Sequence, residues 1–128
     1  RAFKILSIKK VAVLTPYPNL VNKTIYNFLI QNNIQVTSFG SFNISSDKDV
    51  AKINKETIIR TIKSIQDNEA EAIFVSCTAM RILNLIKEIE NLINKPVLSS
   101  NQVIIWDCLR SIKIDSSIPG YGQLLELH

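Results

Sequence analysis

Short apolar runs alternate with longer segments of helical period along this chain. Four of these runs are rich in β-branched residues and are bounded by Pro, Asn, Gly or Ser, which is typical of strands. The first reads KVAVL and is broken by Thr15-Pro16-Tyr17-Pro18, and the second, IQVTSF, alternates as a strand does. The pattern therefore predicts strands over residues 10–14, 34–39, 72–75 and 97–98.

The segments between these runs place apolar residues three and four apart, which predicts helices. The second helix has a possible cap at Asn54, and the last can be capped by the segment Ser99-Ser100-Asn101. The predicted helices cover residues 20–31 (apolar at Val21, Ile25, Phe28 and Leu29), a stretch after Asn54 (Ile58, Ile62 and Ile65), residues 79–93 (Met80, Leu83, Ile86 and Ile93), and a stretch from Ser99 to about Ile112.

Strands that alternate with helices indicate a parallel sheet with right-handed crossovers and helices on both faces. The sequence therefore predicts an α/β chain, a three-layer α/β/α flavodoxin-like lobe. Its sheet should have four parallel strands in the order 2-1-3-4. At 128 residues without an evident linker or repeat, residues 1–128 are expected to form one domain.

The last predicted helix is apolar almost all round. A helix that covers one face of a sheet normally keeps a polar side, so this one is expected to pack against a second body as well, either another subunit or a missing half. Cys108 lies within this helix beside Trp106 and is expected to be inert packing. The apolar residues of the helix are Val103, Ile104, Ile105, Trp106, Leu109 and Ile112.

Composition excludes several classes of protein. The net charge is +4, but the 15 Lys and Arg are dispersed among 11 Asp and Glu, whereas nucleic-acid binders concentrate basic residues on one face. No apolar stretch is long enough to cross a membrane, and residues 1–10 lack the apolar region of a signal peptide. Two cysteines and the single His128 form no metal-ligand cluster, and no Gly-rich loop is present to hold a dinucleotide. We therefore expect a cytoplasmic protein without a metal site, a membrane segment or a nucleic-acid partner.

Polar residues collect where the predicted strands end. In parallel α/β sheets, ligands bind outside the carboxyl ends of the strands, and helix starts there supply N–H donors for anions. A thiol at such a helix start has a lowered pKa, which favours Cys77 as a reactive thiolate. Cys77 could also be a small half-buried filler, Ser76 and Thr78 could be caps, and Tyr17 could cover the core edge. The four strand ends carry Thr15-Pro16-Tyr17, residues 41–47, Ser76-Cys77-Thr78 and Ser99-Ser100-Asn101-Gln102.

Four segments, in this order along the chain, resemble a known enzyme group. They are KKVAVLTPYPNLVN (9–22), AIFVSCTAMR (72–81), KPVLSSNQVIIW (95–106) and PGYGQLL (119–125). They resemble the C-terminal half of the maleate isomerase and arylmalonate decarboxylase group, within the cofactor-independent aspartate/glutamate racemase superfamily. The TPY and SCT elements carry most of this resemblance.

The resemblance implies one lobe of a two-lobed enzyme with its site in the cleft between the lobes. Cys77 would be the catalytic cysteine of the second lobe, and Tyr17 would hydrogen-bond a carboxylate of a small dicarboxylic acid. The expected activity is isomerisation, racemisation or decarboxylation without a cofactor. The first lobe and its own cysteine are not among these residues, and residues 1–7 resemble the end of the helix that leads into the second lobe. Including the strand-end residues, the predicted substrate-binding set is Tyr17, Thr78, Thr15, Ser76 and Asn101, with Gln102 in the same SNQ segment.

Asp47 departs from the group, whose members often have Asn in the loop after the second strand. A carboxylate at this position would repel a dicarboxylate unless it is neutralised. Two other interpretations of the chain remain open. It could be a catalytically silent lobe that binds a small carboxylate or mediates assembly. A flavin-binding or response-regulator domain is less favoured, because the sequence has neither a phosphate loop nor an acidic cluster with a following Lys.

Overall fold

A four-stranded parallel sheet organises the chain. The computed structural model describes all of residues 1–128. The strands are β1 (Lys10–Thr15), β2 (Gln35–Ser41), β3 (Ala72–Val75) and β4 (Val97–Ser99). Their order is β2-β1-β3-β4, and every neighbouring pair is parallel. The predicted α/β class and strand order are therefore confirmed.

The two faces of the sheet carry separate cores. Side chains alternate along a strand, so Ala12 and Leu14 join one apolar cluster while Val11 and Val13 join the other. All four are fully buried, as expected for the centre of a parallel sheet that is covered on both faces. The layers are thus helix, sheet and helix.

Seven helices complete the fold. Helix α4 is capped by Asn54, whose Oδ1 accepts a hydrogen bond of 2.9 Å from the N–H of Thr57, and it buries Ile58 and Ile62. Helices α4 and α5 cover the first face, and α2 and α6 cover the second together with α1 and α7. The helices are α1 (Ala2–Ile5), α2 (Asn19–Gln31), α3 (Asp47–Val50), α4 (Lys55–Ile65), α5 (Ile86–Ile93), α6 (Ser100–Ser111) and α7 (Gln123–Leu127), with a 3₁₀ turn at Leu83–Leu85.

The helix predicted over residues 79–93 is too long. Only its second half is α-helical, because α5 begins at Ile86 after the 3₁₀ turn. Met80 and Ile82 are both buried, and residues two apart point to nearly opposite sides of a helix. An irregular segment, residues 76–82, lets both side chains reach the core. We call this segment the Cys77 loop.

The apolar face predicted on the last helix is exposed, but its composition differs from the prediction. Ile104 and Ile112 are 54% and 67% exposed, and Ile105 is also exposed. Trp106 faces the core instead, and Cys108, predicted to be buried packing, is exposed. None of the helices is both long and apolar enough to cross a membrane.

Candidate functional site

The carboxyl ends of the strands meet at one edge of the sheet, where the sequence places its polar residues. Thr15 pairs in register with Ser41, and Val75 pairs with Ser99. The loops that leave these four ends therefore start side by side. The predicted segments around Tyr17, Asp47, Cys77 and Asn101 all lie at this edge.

The Tyr17 loop is held by three polar side chains, of which Thr15 and Asn22 are buried and Ser41 is exposed. The Thr15 hydroxyl donates to Asn22 Oδ1 and accepts the N–H of Tyr17 at 3.2 Å. Asn22 Nδ2 donates to the Tyr17 carbonyl at 2.7 Å, and the Ser41 hydroxyl donates to the same carbonyl. Because Thr15 is fully buried and its hydroxyl is used in both directions, it fixes the loop that presents the half-buried Tyr17.

Cys77 lies in a loop and not at a helix start. The prediction that a helix starts at Cys77 is wrong, because α5 begins only at Ile86. The donor beside the sulfur is a single backbone N–H, that of Ala79, at 3.3 Å from Sγ. This N–H favours negative charge on the sulfur. The residue itself is only 2% exposed.

Tyr17, Cys77 and Asp47 form one electrostatic group. Burial raises the pKa of Tyr17 to about 12, and the neighbouring Cys77 and Asp47 side chains contribute to this rise. The phenol therefore keeps its proton throughout the physiological pH range and acts as a hydrogen-bond donor. Asp47 is exposed as the first residue of α3, so its carboxylate adds negative charge near Tyr17.

The first turn of α6 supports the Cys77 loop. Asn101 Nδ2 donates to the carbonyl oxygen of Thr78 at 3.0 Å. The Thr78 side chain is exposed at the edge of the sheet, and Ser76 is half-buried between β3 and Cys77. Of the predicted residues, the structure thus brings Tyr17 and Cys77 together and connects Asn101 to the loop through Thr78.

A wide groove runs beside this group without including it. It has a volume of about 640 Å³ and lies between the segment after α3 and the end of the Cys77 loop. Three cations line it: Lys52 and Lys55 are paired with Asp49 and Glu88, and Arg81 forms no salt bridge. No three His, Cys, Asp or Glu side chains gather as metal ligands would.

The sequence assigned no individual role to Asn22, and it included Ser41 only within the polar strand end 41–47, yet both hold the Tyr17 backbone. Asn22 occupies an early helix position where a polar residue is ordinary, yet it is buried. The only signal in the sequence is its place in the first turns of the helix that follows Tyr17. Gln102, noted only as part of the SNQ segment, is completely buried.

Comparisons with known proteins agree on one family. The sequence model of a family described as "Arylmalonate decarboxylase" matches residues 1–125. The chain is 26% identical over 118 residues to a maleate isomerase of Alcaligenes faecalis, covering 91% of this chain and 47% of that protein. It is 28% identical over 126 residues to an arylmalonate decarboxylase of Bordetella bronchiseptica, covering 94% and 52%. The crystal structure of a maleate isomerase from Pseudomonas putida S16 with maleate superposes with a TM-score of 0.92 at 27% identity, covering 97% and 50%. The chain thus spans about half the length of these relatives.

Proposed function

The chain belongs to the arylmalonate decarboxylase family, and from this membership we propose that it forms one half of a cofactor-independent, cysteine-dependent enzyme that acts on a small dicarboxylic acid. The observation that carries the proposal is the group formed by Cys77, the Ala79 N–H and the Tyr17 phenol at the carboxyl edge of the sheet. It combines a thiol, a backbone N–H beside the sulfur and a neighbouring phenol that can donate to a carboxylate, as proton transfer next to a carboxylate requires.

Cys77 is the acid/base group in this proposal. When a malonate-type acid loses CO₂, the electron pair of the broken bond remains as an enediolate, and the Cys77 S–H protonates its α-carbon. When a maleate-type acid isomerises, a nucleophile on the opposite side adds to one carbon of the double bond, and the Cys77 S–H protonates the other. After rotation about the C–C single bond that results, the Cys77 thiolate removes this proton, the double bond re-forms and the nucleophile leaves. In both cases the Ala79 N–H stabilises the thiolate that remains.

Tyr17 binds a carboxylate of the substrate through its protonated phenol. Thr15 keeps Tyr17 in place through the N–H contact at 3.2 Å. Thr78 and Ser76 flank the thiol and complete the surface that receives the substrate, and Asn101 holds the Thr78 carbonyl. The proposal therefore separates residues that touch the substrate from residues that position them.

The second half of the site would come from a body opposite this edge. The relatives are about twice as long as this chain, and the groups described here approach a substrate from one side only. We infer that residues 1–128 are the second lobe of a two-lobed enzyme and that the first lobe faces Cys77. The exposed apolar face of α6 is available for such a contact.

Nuclear magnetic resonance of the two-lobed protein with maleate and with phenylmalonate tests the proposed function. We expect either fumarate from maleate or a monocarboxylic acid with CO₂ from phenylmalonate, with no cofactor added. The product identifies the reaction, because isomerisation keeps both carboxylates and decarboxylation loses one. The absence of conversion of both acids by folded protein would refute the proposal.

Replacing Tyr17 by Phe should weaken the enzyme without unfolding it. The loss of one hydrogen bond to a charged carboxylate costs about 1–3 kcal/mol, which corresponds to a kcat/KM roughly 5- to 150-fold lower. Initial rates on the accepted acid measure the effect. Tyr26→Phe, at an exposed tyrosine of α2, is the matched control and should leave kcat/KM unchanged. An unchanged kcat/KM in Tyr17→Phe would return Tyr17 to a packing role.

A further inference from the structure

Gln102 is a buried polar residue that the proposed chemistry does not use. Its side chain has no exposed surface. Gln102 Oε1 accepts the N–H of Ser99 at 3.4 Å, and the Gln102 N–H donates to the Ser99 hydroxyl at 3.3 Å, which closes a capping box at the start of α6. The amide nitrogen Nε2 goes further and donates to the carbonyl oxygen of Tyr121 at 2.6 Å.

The second contact distinguishes Gln from Glu at this position. Either residue completes a capping box, because both have an oxygen that accepts the N–H of the cap. Only the amide has an N–H for the Tyr121 carbonyl, and a glutamate carboxylate in its place would set an acceptor against an acceptor. Gln102 therefore joins α6 to the segment 119–125 specifically.

The segment 119–125 packs closely against Gln102. A Cβ added to Gly122 would lie 2.9 Å from Gln102 Nε2 and 2.4 Å from Ile86 Cγ2, and the φ of Gly122 is 91°. Glu90, which is 4% exposed, accepts the N–H of Gln123 at 2.9 Å and the N–H of Val97 at 3.0 Å. These contacts anchor the segment to both α5 and β4.

The first turn of α6 also contacts the Cys77 loop, because the side-chain amide of Asn101 donates a hydrogen bond to the Thr78 carbonyl oxygen. Asn101 thus holds the Cys77 loop, and the next residue, Gln102, holds the segment 119–125. Rotation or fraying of this turn would move the carbonyl that follows Cys77. The loop depends on such support because it lacks the hydrogen bonds of a helix.

We propose that Gln102 is a positioning residue that fixes the Cys77 loop, by locking the first turn of α6 between Thr78 and the segment 119–125. The catalytic meaning of this role rests on the proposed function of Cys77, but the link itself does not. Gln102 touches neither substrate nor sulfur and acts through Asn101.

Thiol labelling of the 128-residue chain tests the link without any substrate. With iodoacetamide at neutral pH, the exposed Cys108 should react quickly and the buried Cys77 slowly. Gln102→Glu should raise the labelling rate of Cys77 about tenfold, on the scale of one broken buried hydrogen bond. Gln31→Glu makes the same chemical change at an exposed position at the end of α2 and should leave the rate unchanged.

Hydrogen exchange separates release of the loop from general unfolding. In Gln102→Glu, exchange should rise for residues 76–82 and stay as in the wild type for β1, whose residues exchange only when the core opens. Asn101→Ala removes the hydrogen bond to Thr78 and should also raise the labelling rate of Cys77, by a smaller factor because this hydrogen bond is exposed. It carries the test if Gln102→Glu does not fold.

Three results would overturn the proposal. The first is an unchanged labelling rate of Cys77 in folded Gln102→Glu, and the second is an unchanged labelling rate of Cys77 in Asn101→Ala. The third is a labelling rate of Cys77 that rises only together with the hydrogen exchange of β1. Because labelling needs no turnover, a chain that proves inactive still gives a result. In an active two-lobed protein, Gln102→Glu should lower kcat about tenfold and leave KM within about twofold, since the substrate contacts remain.

Discussion

The 128-residue chain, produced by itself, is expected to convert neither maleate nor an arylmalonate at a detectable rate. The Cys77 thiol and the Tyr17 phenol approach from one edge of the sheet, and the proposed reactions need a group on the other side of the substrate. Proximity and orientation of the reacting groups can account for about 7–11 kcal/mol of a barrier, so the loss of one side should abolish turnover. Nuclear magnetic resonance with both acids measures this.

The isolated chain is also expected to self-associate while it remains folded. Ile104, Ile105 and Ile112 expose an apolar face on α6, and contiguous apolar surface of this kind marks contact sites. Light scattering on the same samples gives the oligomeric state. Rapid turnover by a strictly monomeric chain would contradict the two-lobed account.

The sequence predicts the sheet well because both faces of β1, β3 and β4 are largely buried. A strand such as β1 is apolar at successive positions, which distinguishes it from the amphipathic helices on either side. The strand order then follows from short right-handed crossovers. The bounds of the strands differ from the prediction by a residue or two at their ends.

The segment after Cys77 could not be predicted from periodicity. Met80, Leu83, Ile86 and Ile93 fit a helical spacing, and the pattern gives no sign that the first of them belongs to a loop. Met80 and Ile82 are both buried, and residues two apart cannot share one helix face, so this segment is not an α-helix. For this reason the helix start expected at Cys77 is absent.

The burial of Trp106 and the exposure of Cys108 reflect a similar ambiguity. A helix with apolar residues on all sides has no periodic signal to show which side meets the sheet. In the structure Trp106 packs into the core, with the Arg1 guanidinium 5.7 Å from the centre of its ring, and Ile104 and Ile105 face outward. Only tertiary packing determines this rotation of α6.

The candidate site was predictable where residue types are unusual and missed where they are ordinary. A thiol and a phenol at strand ends draw attention, whereas Asn22, Ser41 and Gln102 are common polar residues whose importance comes from the backbone carbonyls to which they donate. These hydrogen bonds depend on how the loops fold. A single sequence does not record them.

Replacing Cys77 by Ala in the two-lobed protein should lower kcat by about 10²- to 10⁴-fold, the usual contribution of a positioned acid or base. Alanine removes the thiol that lies near the Ala79 N–H and the Tyr17 phenol and that donates the proton in the proposed reactions. The fold should survive, because the change deletes a single sulfur atom at the edge of the core. Circular dichroism of the variant checks this.

The proposed role of Cys77 is tested by the conversion of maleate and phenylmalonate by the two-lobed protein after dialysis against a chelator. Wild type, Cys77→Ala and Cys108→Ala are measured side by side. Cys108→Ala is the matched control, since it removes a thiol from the exposed face of α6. The account predicts equal rates for wild type and Cys108→Ala, and a rate of about 1% or less for Cys77→Ala. Turnover by Cys77→Ala at the wild-type rate would contradict it.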